Sequence, residues 1–386
     1  MEEGAMIKCL LNRGMRMRES WALPVAQGWS IATLILLMLG LPGHSAAEHG
    51  GAFVRPVVDS VIGSYEAKTA MSGAIAIAGS DTMQPIMAKV ASVFRQRQPD
   101  VKIAVQGGGS DAALTAFVQG IAASRRGDGN VKGHLGSNEI TVLASSRPLT
   151  SKERDEFRAR NGYEPAEIPI ALDAVAIYVN RSNPIQGLTI EQLDAIFGRD
   201  RKRGLPEDIR TWGQLGLTDG WEQQPIRRYG RDKRSGTRTF FIHAALMDGE
   251  MKTEVKEEPG SAMEILDLSR DALGIGYAGI GFQASTVRIL PLAEKTGMPY
   301  VPPNAETAAD GTYPLARFLY LYVRKDPKSA WDPEVLEFLR FVNSREGQEA
   351  IVKAGVYPLP APHVAKNLQL LNGAAATASA LRNGSN

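Results

Sequence analysis

The sequence predicts an α/β fold in which helices cover open sheets. From Gly73 onward, short runs of apolar and β-branched residues alternate with amphipathic helical segments. The first units are the strand AIAIAG at 74–79, a helical segment with apolar residues on one face, and the strand VKIAVQG at 101–107. The chain has 386 residues, more than one average domain needs. We therefore expect two domains built on open α/β sheets.

The later segments continue this alternation. A strand is predicted at 139–146, then a charged helix, then an uninterrupted apolar strand at 173–180. A second α/β block follows from about 181 to 280. The chain ends with the strand FLYLYV at 318–323 and one long helix, WDPEVLEFLRFVNSREGQEAIVKAG. Residues 48–72 have weak periodicity, so we expect a linker or a loosely docked arm there.

The N-terminus has the pattern of an export signal. A basic region that includes Lys8 precedes about 13 apolar residues at 29–41, whereas a membrane-spanning helix needs roughly 20. Helix breakers and small residues follow, so we predict a signal peptide over 1–47 and a mature N-terminus at Glu48. No cysteine lies near 40–50 to carry a lipid. The alternative is an uncleaved membrane anchor.

Charge and composition exclude several classes of function. The formal net charge is +2, which indicates neither nucleic acid nor an anionic membrane as a partner. The single cysteine, Cys9, cannot form an internal disulfide or a thiolate metal cluster. The five histidines show no metal-ligand spacing on one helix, and no serine has a positioned histidine and acid. We therefore expect no enzyme activity, no cofactor and no metal.

Three strand-to-helix turns carry small residues and hydroxyl groups. A helix N-terminus has unpaired N–H groups and a partial positive charge, and glycine lets an oxygen approach the backbone closely. One such turn alone is more often a simple helix cap, and the glycine run fits neither a dinucleotide fingerprint nor a Walker loop. Three of them predict a cage of donors around one small anion, provided the fold points them at one cleft. The turns are Gly79-Ser80-Asp81-Thr82, Gly107-Gly108-Gly109-Ser110 and Arg231-Asp232-Lys233-Arg234-Ser235-Gly236-Thr237.

In this order the motifs resemble the phosphate-binding periplasmic proteins of ABC importers. The motifs are GSDTM at 79–83, QGGGS at 106–110, ASSRPLT at 144–150, DAVAIYVNRSNP at 173–184, LTIEQLDAIF at 188–197, GRDKRSGTRTFF at 230–241, GIGYAGI at 274–280 and FVNSREGQEAIVKAGVYPL at 341–359. The resemblance covers nearly all of 73–360. It implies a type II periplasmic-binding-protein fold, a two-lobed flytrap that closes on an anion in the interlobe cleft. Lobe 1 would comprise 73–172 and 284–365, lobe 2 would comprise 173–283, and 366–386 would be a flexible tail.

The resemblance also implies roles for individual residues. The matched positions are Thr82 and Met83 in the first turn, flanked by Ser80, then Ser110 in the second turn, and Arg231, Ser235, Gly236 and Thr237 in the third. Their hydroxyl and N–H groups would donate to the anion, and the arginine would pair with its oxygens. The implied partners are inorganic phosphate or a similar oxoanion and the membrane subunits of an ABC importer in separate chains. We expect no nucleic-acid partner, a monomer, and a periplasmic location.

One further turn departs from the family pattern. Many members have an aspartate after the third strand, which accepts the proton of hydrogen phosphate and so rejects sulfate. Here Ser146 stands at that position and Arg147 follows it. A serine oxygen can accept a hydrogen bond, whereas an arginine cannot, and Asp81 is another candidate acceptor. Phosphate is the predicted ligand; sulfate, molybdate, tungstate and arsenate remain open, as do a secreted phosphatase and a phosphate sensor.

Overall fold

A computed structural model describes residues 56–67, 69–120 and 140–383, and for 374–383 it describes the helix but not the side chains. The predicted signal peptide with its cleavage site lies outside these residues. So does the polar, glycine-rich segment 124–138, for which the sequence predicts a surface loop. Within the described ranges, no helix is both long enough and apolar enough to cross a membrane.

The strands of the described part are β1 (Gly73–Gly79), β2 (Val101–Gln106), β3 (Val142–Ser145), β4 (Ala166–Asn180), β5 (Leu188–Thr189), β6 (Arg227–Arg231), β7 (Lys256–Glu258), β8 (Gly274–Gly279), β9 (Val287–Leu290), β10 (Leu292–Ala293), β11 (Ala316–Val323) and β12 (Tyr357–Pro358). The helices are α1 (Gln84–Arg97), α2 (Ser110–Gln119), α3 (Ser151–Asn161), α4 (Ile190–Phe197), α5 (Gly236–Leu246), α6 (Ser261–Leu268), α7 (Ala305–Ala309), α8 (Pro333–Val342), α9 (Arg345–Lys353) and α10 (Ala361–Asn383), and a 3₁₀ turn covers Trp212–Leu215.

The main sheet follows the order β2-β1-β3-β11-β4-β8-β6-β7, and β9 and β12 also pair with β4. β1 runs parallel to β2 and β3, and β6 runs parallel to β7 and β8, as the α/β alternation predicts. β4 joins the two halves because residues 166–174 pair with β11, while 175–179 pair with β8. This strand begins earlier than the 173–180 predicted from the sequence.

Apolar faces build the core at the predicted spacing. On the first helix and the turn before it, Met83, Ile86, Val90 and Phe94 are buried on one side. The ring of Phe94 packs edge-on against Phe338 of α8, with ring centroids 5.4 Å apart. Contacts of this kind between aromatic rings add to the stabilisation from apolar burial.

The long C-terminal helix predicted from the sequence is two helices, α8 and α9. Ser344 ends the run because its side chain accepts a hydrogen bond from the N–H of Gly347, at 3.2 Å, and so begins a new helix. A Cβ at Gly347 would lie 2.0 Å from the carbonyl oxygen of Phe341, so the close turn requires glycine. A periodic apolar pattern does not reveal such an interior cap.

Both ends of the described chain pack against the body. Ile62, in the predicted arm, is buried with Leu359 and Val364. The hydroxyl of Tyr65 donates to Glu337 at 2.7 Å. At the other end, the segment expected to be a flexible tail lies largely within α10, where Asn367 is buried and donates to the carbonyl oxygen of Pro169 at 2.7 Å. These contacts involve residues far apart in sequence, and local periodicity carries no signal for them.

Candidate anion-binding site

The turns that follow β1, β2 and β6 come together in the fold. Between the first two turns, the N–H of Gly108 donates to Asp81 Oδ1 at 2.8 Å. Between the second and third, the N–H of Asp111 donates to the carbonyl oxygen of Arg234 at 3.2 Å. The fold therefore directs the three helix starts at one place. This is the condition under which the sequence predicts a cage of donors around one anion.

Glycine is what allows these turns to approach so closely. Gly109 has φ of +103°, and a Cβ there would lie 2.2 Å from the carbonyl oxygen of Arg234. A Cβ at Gly79 would lie 1.9 Å from the carbonyl oxygen of Ala144, at the turn after β3. Any larger residue would force the turns apart, so these glycines set the geometry of the site.

Four buried hydroxyl groups meet where the turns converge, and we call Thr82, Ser110, Ser146 and Thr237 the hydroxyl cluster. The oxygens of Thr82 and Thr237 are 3.0 Å apart, and those of Ser110 and Ser146 are 3.2 Å apart. Gly236 brings the two pairs together, because it precedes Thr237 in the chain and packs against the other pair. A Cβ on it would lie 2.6 Å from Ser110 Oγ and 2.9 Å from Ser146 Oγ. Hydroxyl groups can donate or accept, so the cluster suits an anion that needs donors.

The start of α5 adds backbone donors to this cluster. Ser235 caps the helix, since its side chain accepts from the N–H of Arg238 at 3.4 Å. The N–H groups of Gly236 and Thr237 have no hydrogen-bond partner in the described part of the chain. Such unpaired donors at a helix N-terminus favour negative charge.

The first turn contributes fewer backbone donors than the resemblance implies. The N–H of Thr82 donates to Ser80 Oγ at 3.1 Å, and the N–H of Met83 donates to the carbonyl oxygen of Ser80 at 3.0 Å. These bonds stabilise the turn itself. The hydroxyl of Thr82 is the group of this turn that enters the hydroxyl cluster.

Arg231, at the end of β6, brings a buried positive charge to the site. Its side chain is 1% exposed, its Nη1 donates to Ser261 Oγ at 2.8 Å, and its Nη2 donates to Asp81 Oδ2 at 3.0 Å. Its Nε is buried and has no partner among the described residues. Buried polar groups normally have a partner, so a spare donor at a converging site points to a ligand.

Asp81 and Ser146 are the two candidate acceptors. Asp81 receives one hydrogen bond on each oxygen, from Gly108 and from Arg231. A carboxylate has about four lone-pair sites, so it can accept further bonds. Ser146 is fully buried, and its N–H donates to Ser110 Oγ at 3.2 Å. Of the two, only Asp81 is an acidic residue.

Arg147 is held away from the hydroxyl cluster by carboxylates. All five of its N–H donors are engaged, with Asp111, Glu153 and the carbonyl oxygen of Pro148. Burial lowers the pKa of Arg147, but the two carboxylates outweigh this and raise it overall. The residue therefore has no N–H left for an anion and braces the turn after β3 against α2 and α3.

Two charged residues that the sequence did not single out lie beside the cluster. Arg317 of β11 pairs with Asp173 of β4, with Nε and Nη2 at 2.9 and 2.8 Å from Oδ2, and both side chains are buried. Nη2 of Arg317 also donates to Thr237 Oγ1 at 3.1 Å. The sign of this pair in the sequence was Asp173, an acidic residue at the start of the apolar strand predicted at 173–180. Its partner Arg317 lies 144 residues further along the chain.

A third group, Glu264 of α6, is buried behind Arg231. Burial raises the pKa of Glu264 from 4.5 to about 8, although the positive charge of Arg231 and the N–H of Tyr277 both lower it. Burial therefore favours the neutral form of this carboxyl group.

Comparison with known proteins identifies the family of this chain. The family model described as "PBP superfamily domain" matches residues 64–346. The phosphate-binding protein PstS of Pseudomonas aeruginosa is 38% identical over 326 residues, which cover 84% of this chain and 95% of that protein. Protein SphX of Synechococcus elongatus is 27% identical over 80% of this chain and 84% of its own length.

Solved structures give the same family. An ABC-type phosphate transport receptor from Vibrio cholerae superposes with a TM-score of 0.54 at 25% identity, over 74% of this chain and 100% of that one. A possible phosphate binding protein from Planctomyces limnophilus gives 0.54 at 25% identity, over 79% and 99%. The predicted two-lobed fold and the predicted resemblance are both confirmed. The chain belongs to the PBP superfamily, and within it to the family of periplasmic phosphate-binding proteins.

Proposed function

We propose that this chain is an extracytoplasmic solute-binding protein that captures inorganic phosphate for an ABC importer. The observation that carries the proposal is the convergence of three helix starts on Arg231 and the hydroxyl cluster. A site of this kind offers many donors to one small anion and excludes water from it. The names of the relatives support phosphate as the ligand.

In this proposal the anion lies against the hydroxyl cluster. The N–H groups of Gly236 and Thr237 and the hydroxyls of Thr82, Ser110 and Ser235 donate to its oxygens. Arg231 adds a charge-assisted bond through its free Nε. Binding by fixed donors needs no reacting group, so the protein acts by capture and release and performs no catalysis.

Asp81 accepts the proton of hydrogen phosphate in this proposal, in place of the aspartate that Ser146 replaces. Its carboxylate is fixed by Gly108 and Arg231 and retains lone pairs for the ligand. Sulfate has no proton at neutral pH, so two sets of lone pairs would face each other there. Sulfate, molybdate and tungstate, which carry no proton at neutral pH, are the alternatives if Asp81 does not face the ligand; arsenate, which keeps a proton, is an alternative in either case.

We further propose that the two halves of the sheet are the two lobes. The crossing through β4 supports a first boundary near 173, as the sequence predicts. The pairing of β9 with β4 and of β10 with β5 supports a return to the first lobe near 315, later than the predicted 284. The anion then lies where the lobes meet, and closing them surrounds it.

Delivery completes the proposed function. The chain is exported by the predicted signal peptide, works in the periplasm as a monomer, and docks on importer membrane subunits that are separate chains. A secreted phosphatase is a weaker candidate, because no catalytic serine–histidine–acid set is evident in the sequence.

Calorimetric titration of the mature protein tests the proposal, after bound ligand is removed by partial unfolding and refolding. We expect micromolar or tighter binding of phosphate and at least a hundredfold weaker binding of sulfate at equal ionic strength. Asp81→Asn replaces the acceptor by a donor, so it should weaken phosphate and strengthen sulfate. Equal affinity of the wild-type protein for both anions would contradict phosphate selectivity, and no response to either would contradict the site.

A further inference from the structure

Arg317 carries a spare donor beside the hydroxyl cluster. Its side chain is 1% exposed, and its Nη1 is buried without a partner in the described part of the chain. The other nitrogens are engaged, since Nε and Nη2 donate to Asp173 and Nη2 also donates to Thr237. Nη1 and Nη2 share one carbon atom, so the unpaired nitrogen lies beside Thr237 and the hydroxyl cluster.

The surroundings fix this guanidinium in place. The ring of Phe240 covers one face, at 5.3 Å from Cζ to the ring centroid. Asp173 Oδ1 is itself held by the N–H of Ile280, at 3.1 Å. A Cβ on Gly279 would lie 2.8 Å from Thr82 Cγ2 and 3.1 Å from Asp173 Oδ2, so the ion pair and the first turn nearly touch. The arginine is therefore preorganised and pays little entropy on binding a ligand.

Two arginine–aspartate pairs thus flank the contact between Thr82 and Thr237. Each pair keeps one buried arginine nitrogen without a partner, Nε of Arg231 and Nη1 of Arg317. Burial lowers the pKa of Arg317 most, the Asp173 carboxylate raises it, and the positive charge of Arg231 lowers it further, so the two cations repel each other. An anion between two such groups would pair both spare donors and relieve the repulsion.

We propose that Arg317 is a second arginine of the oxoanion site and donates through Nη1 to an oxygen of the bound anion. This inference rests on the proposed function and extends it, because it assigns the ligand a doubly charged form. Thr237 Oγ1 accepts a hydrogen bond from Arg317. The hydroxyl protons of Thr82 and Thr237 are therefore directed either to each other's oxygen or to the ligand. The site then favours a dianion such as hydrogen phosphate over a monoanion.

The test must separate the charge of Arg317 from the stability of its ion pair. Removing Arg317 alone would leave Asp173 buried without a partner and would endanger the fold. We therefore compare Asp173→Asn, which keeps the arginine, with the double variant Asp173→Asn and Arg317→Gln, which removes both charges. Arg324→Gln, just beyond the other end of β11, is the matched control for loss of an arginine elsewhere on the same segment.

Phosphate is titrated into each protein by calorimetry at about pH 6 and about pH 8.5. We expect Arg324→Gln to bind phosphate within a few fold of the wild-type protein, and the affinity of Asp173→Asn is the reference for the double variant. The double variant should bind about 10- to 100-fold more weakly than Asp173→Asn, as expected for loss of one hydrogen bond between charged groups. The loss should be larger at the higher pH, where phosphate is mainly the dianion.

Equal affinity of Asp173→Asn and the double variant, both folded by circular dichroism, would overturn this inference and leave the proposed function intact. Failure of the wild-type protein to bind phosphate would overturn both. If the double variant does not fold, Arg317→Lys replaces it, because lysine keeps the charge and loses the planar fork. We then expect a loss of several fold, and an unchanged affinity in that variant would overturn the inference.

Discussion

Gly236→Ala perturbs the proposed anion site with a single methyl group. The new Cβ would lie 2.6 Å from Ser110 Oγ and 2.9 Å from Ser146 Oγ, whereas ordinary contacts begin at 3.4 Å. Ser110 Oγ must therefore move by about 0.8 Å, from 2.6 Å to 3.4 Å. A hydrogen bond to a charged ligand contributes about 1.5–3 kcal/mol, so loss of one bond weakens phosphate binding about 10- to 100-fold.

Stability should change much less than affinity in this variant. Gly236 is the first residue of α5, and its φ is not in the left-handed region, so alanine fits the backbone. Replacing glycine at a compatible position stabilises by about 0.4–1 kcal/mol. This offsets part of the cost of moving Ser146 Oγ and the whole Ser110 side chain, whose Cβ would lie 2.8 Å from the new methyl carbon. The melting temperature should therefore stay within a few degrees of the wild-type value.

Gly260→Ala is the matched control. Gly260 is the N-cap of α6, with φ of −149° and no atom within 4 Å of a built Cβ. Gly260→Ala restricts the unfolded backbone as Gly236→Ala does, but its methyl group does not contact the hydroxyl cluster. Phosphate titration of both folded variants decides the matter: wild-type affinity in Gly236→Ala would refute the placement of the anion against Ser110 and Ser146.

Two further predictions concern the charges around the site. Arg231→Ala should weaken phosphate binding roughly 30-fold or more, because it leaves Asp81 without its cationic partner and removes a buried donor; calorimetry that gave an unchanged affinity would remove Arg231 from the site. Glu264→Gln should flatten the pH dependence of stability. Burial raises the pKa of Glu264 in the folded wild-type protein to about 8. From about pH 4.5 to 8 the folded protein therefore binds more protons than the unfolded chain, and its stability falls with rising pH by up to about 1.4 kcal/mol per pH unit. Urea denaturation at pH 5 and pH 8 measures this, and the same pH dependence in both proteins would contradict the buried carboxyl assignment.

The sequence predicted the parts of the fold that depend on local pattern. Strand β1 and helix α1 lie where the apolar periodicity put them, and the small residues before α2 and α5 do stand at helix starts. The glycine and hydroxyl composition of those turns also gave the chemistry of the candidate site. What local pattern does not contain is the direction of each turn, which depends on close approaches such as that of Gly109 to Arg234.

The remaining features depend on partners far away in the chain. Arg147 follows a site turn in sequence, yet Asp111 and Glu153 draw its guanidinium away from the hydroxyl cluster. Arg317 begins an apolar strand and gives no local sign of function until the sheet pairs it with Asp173. Charged side chains reach several ångströms from the backbone, so their partners are set by the tertiary fold and not by position in a motif.

A crystal structure of the mature protein with bound phosphate would show where the anion lies. We predict one phosphate within hydrogen-bond distance of Arg231, of Ser110 Oγ and of the N–H groups of Gly236 and Thr237. We also predict that a carboxylate oxygen of Asp81 lies close enough to accept the phosphate proton. Phosphate bound elsewhere on the protein, or bound here without contact to Arg231, would contradict the proposed site.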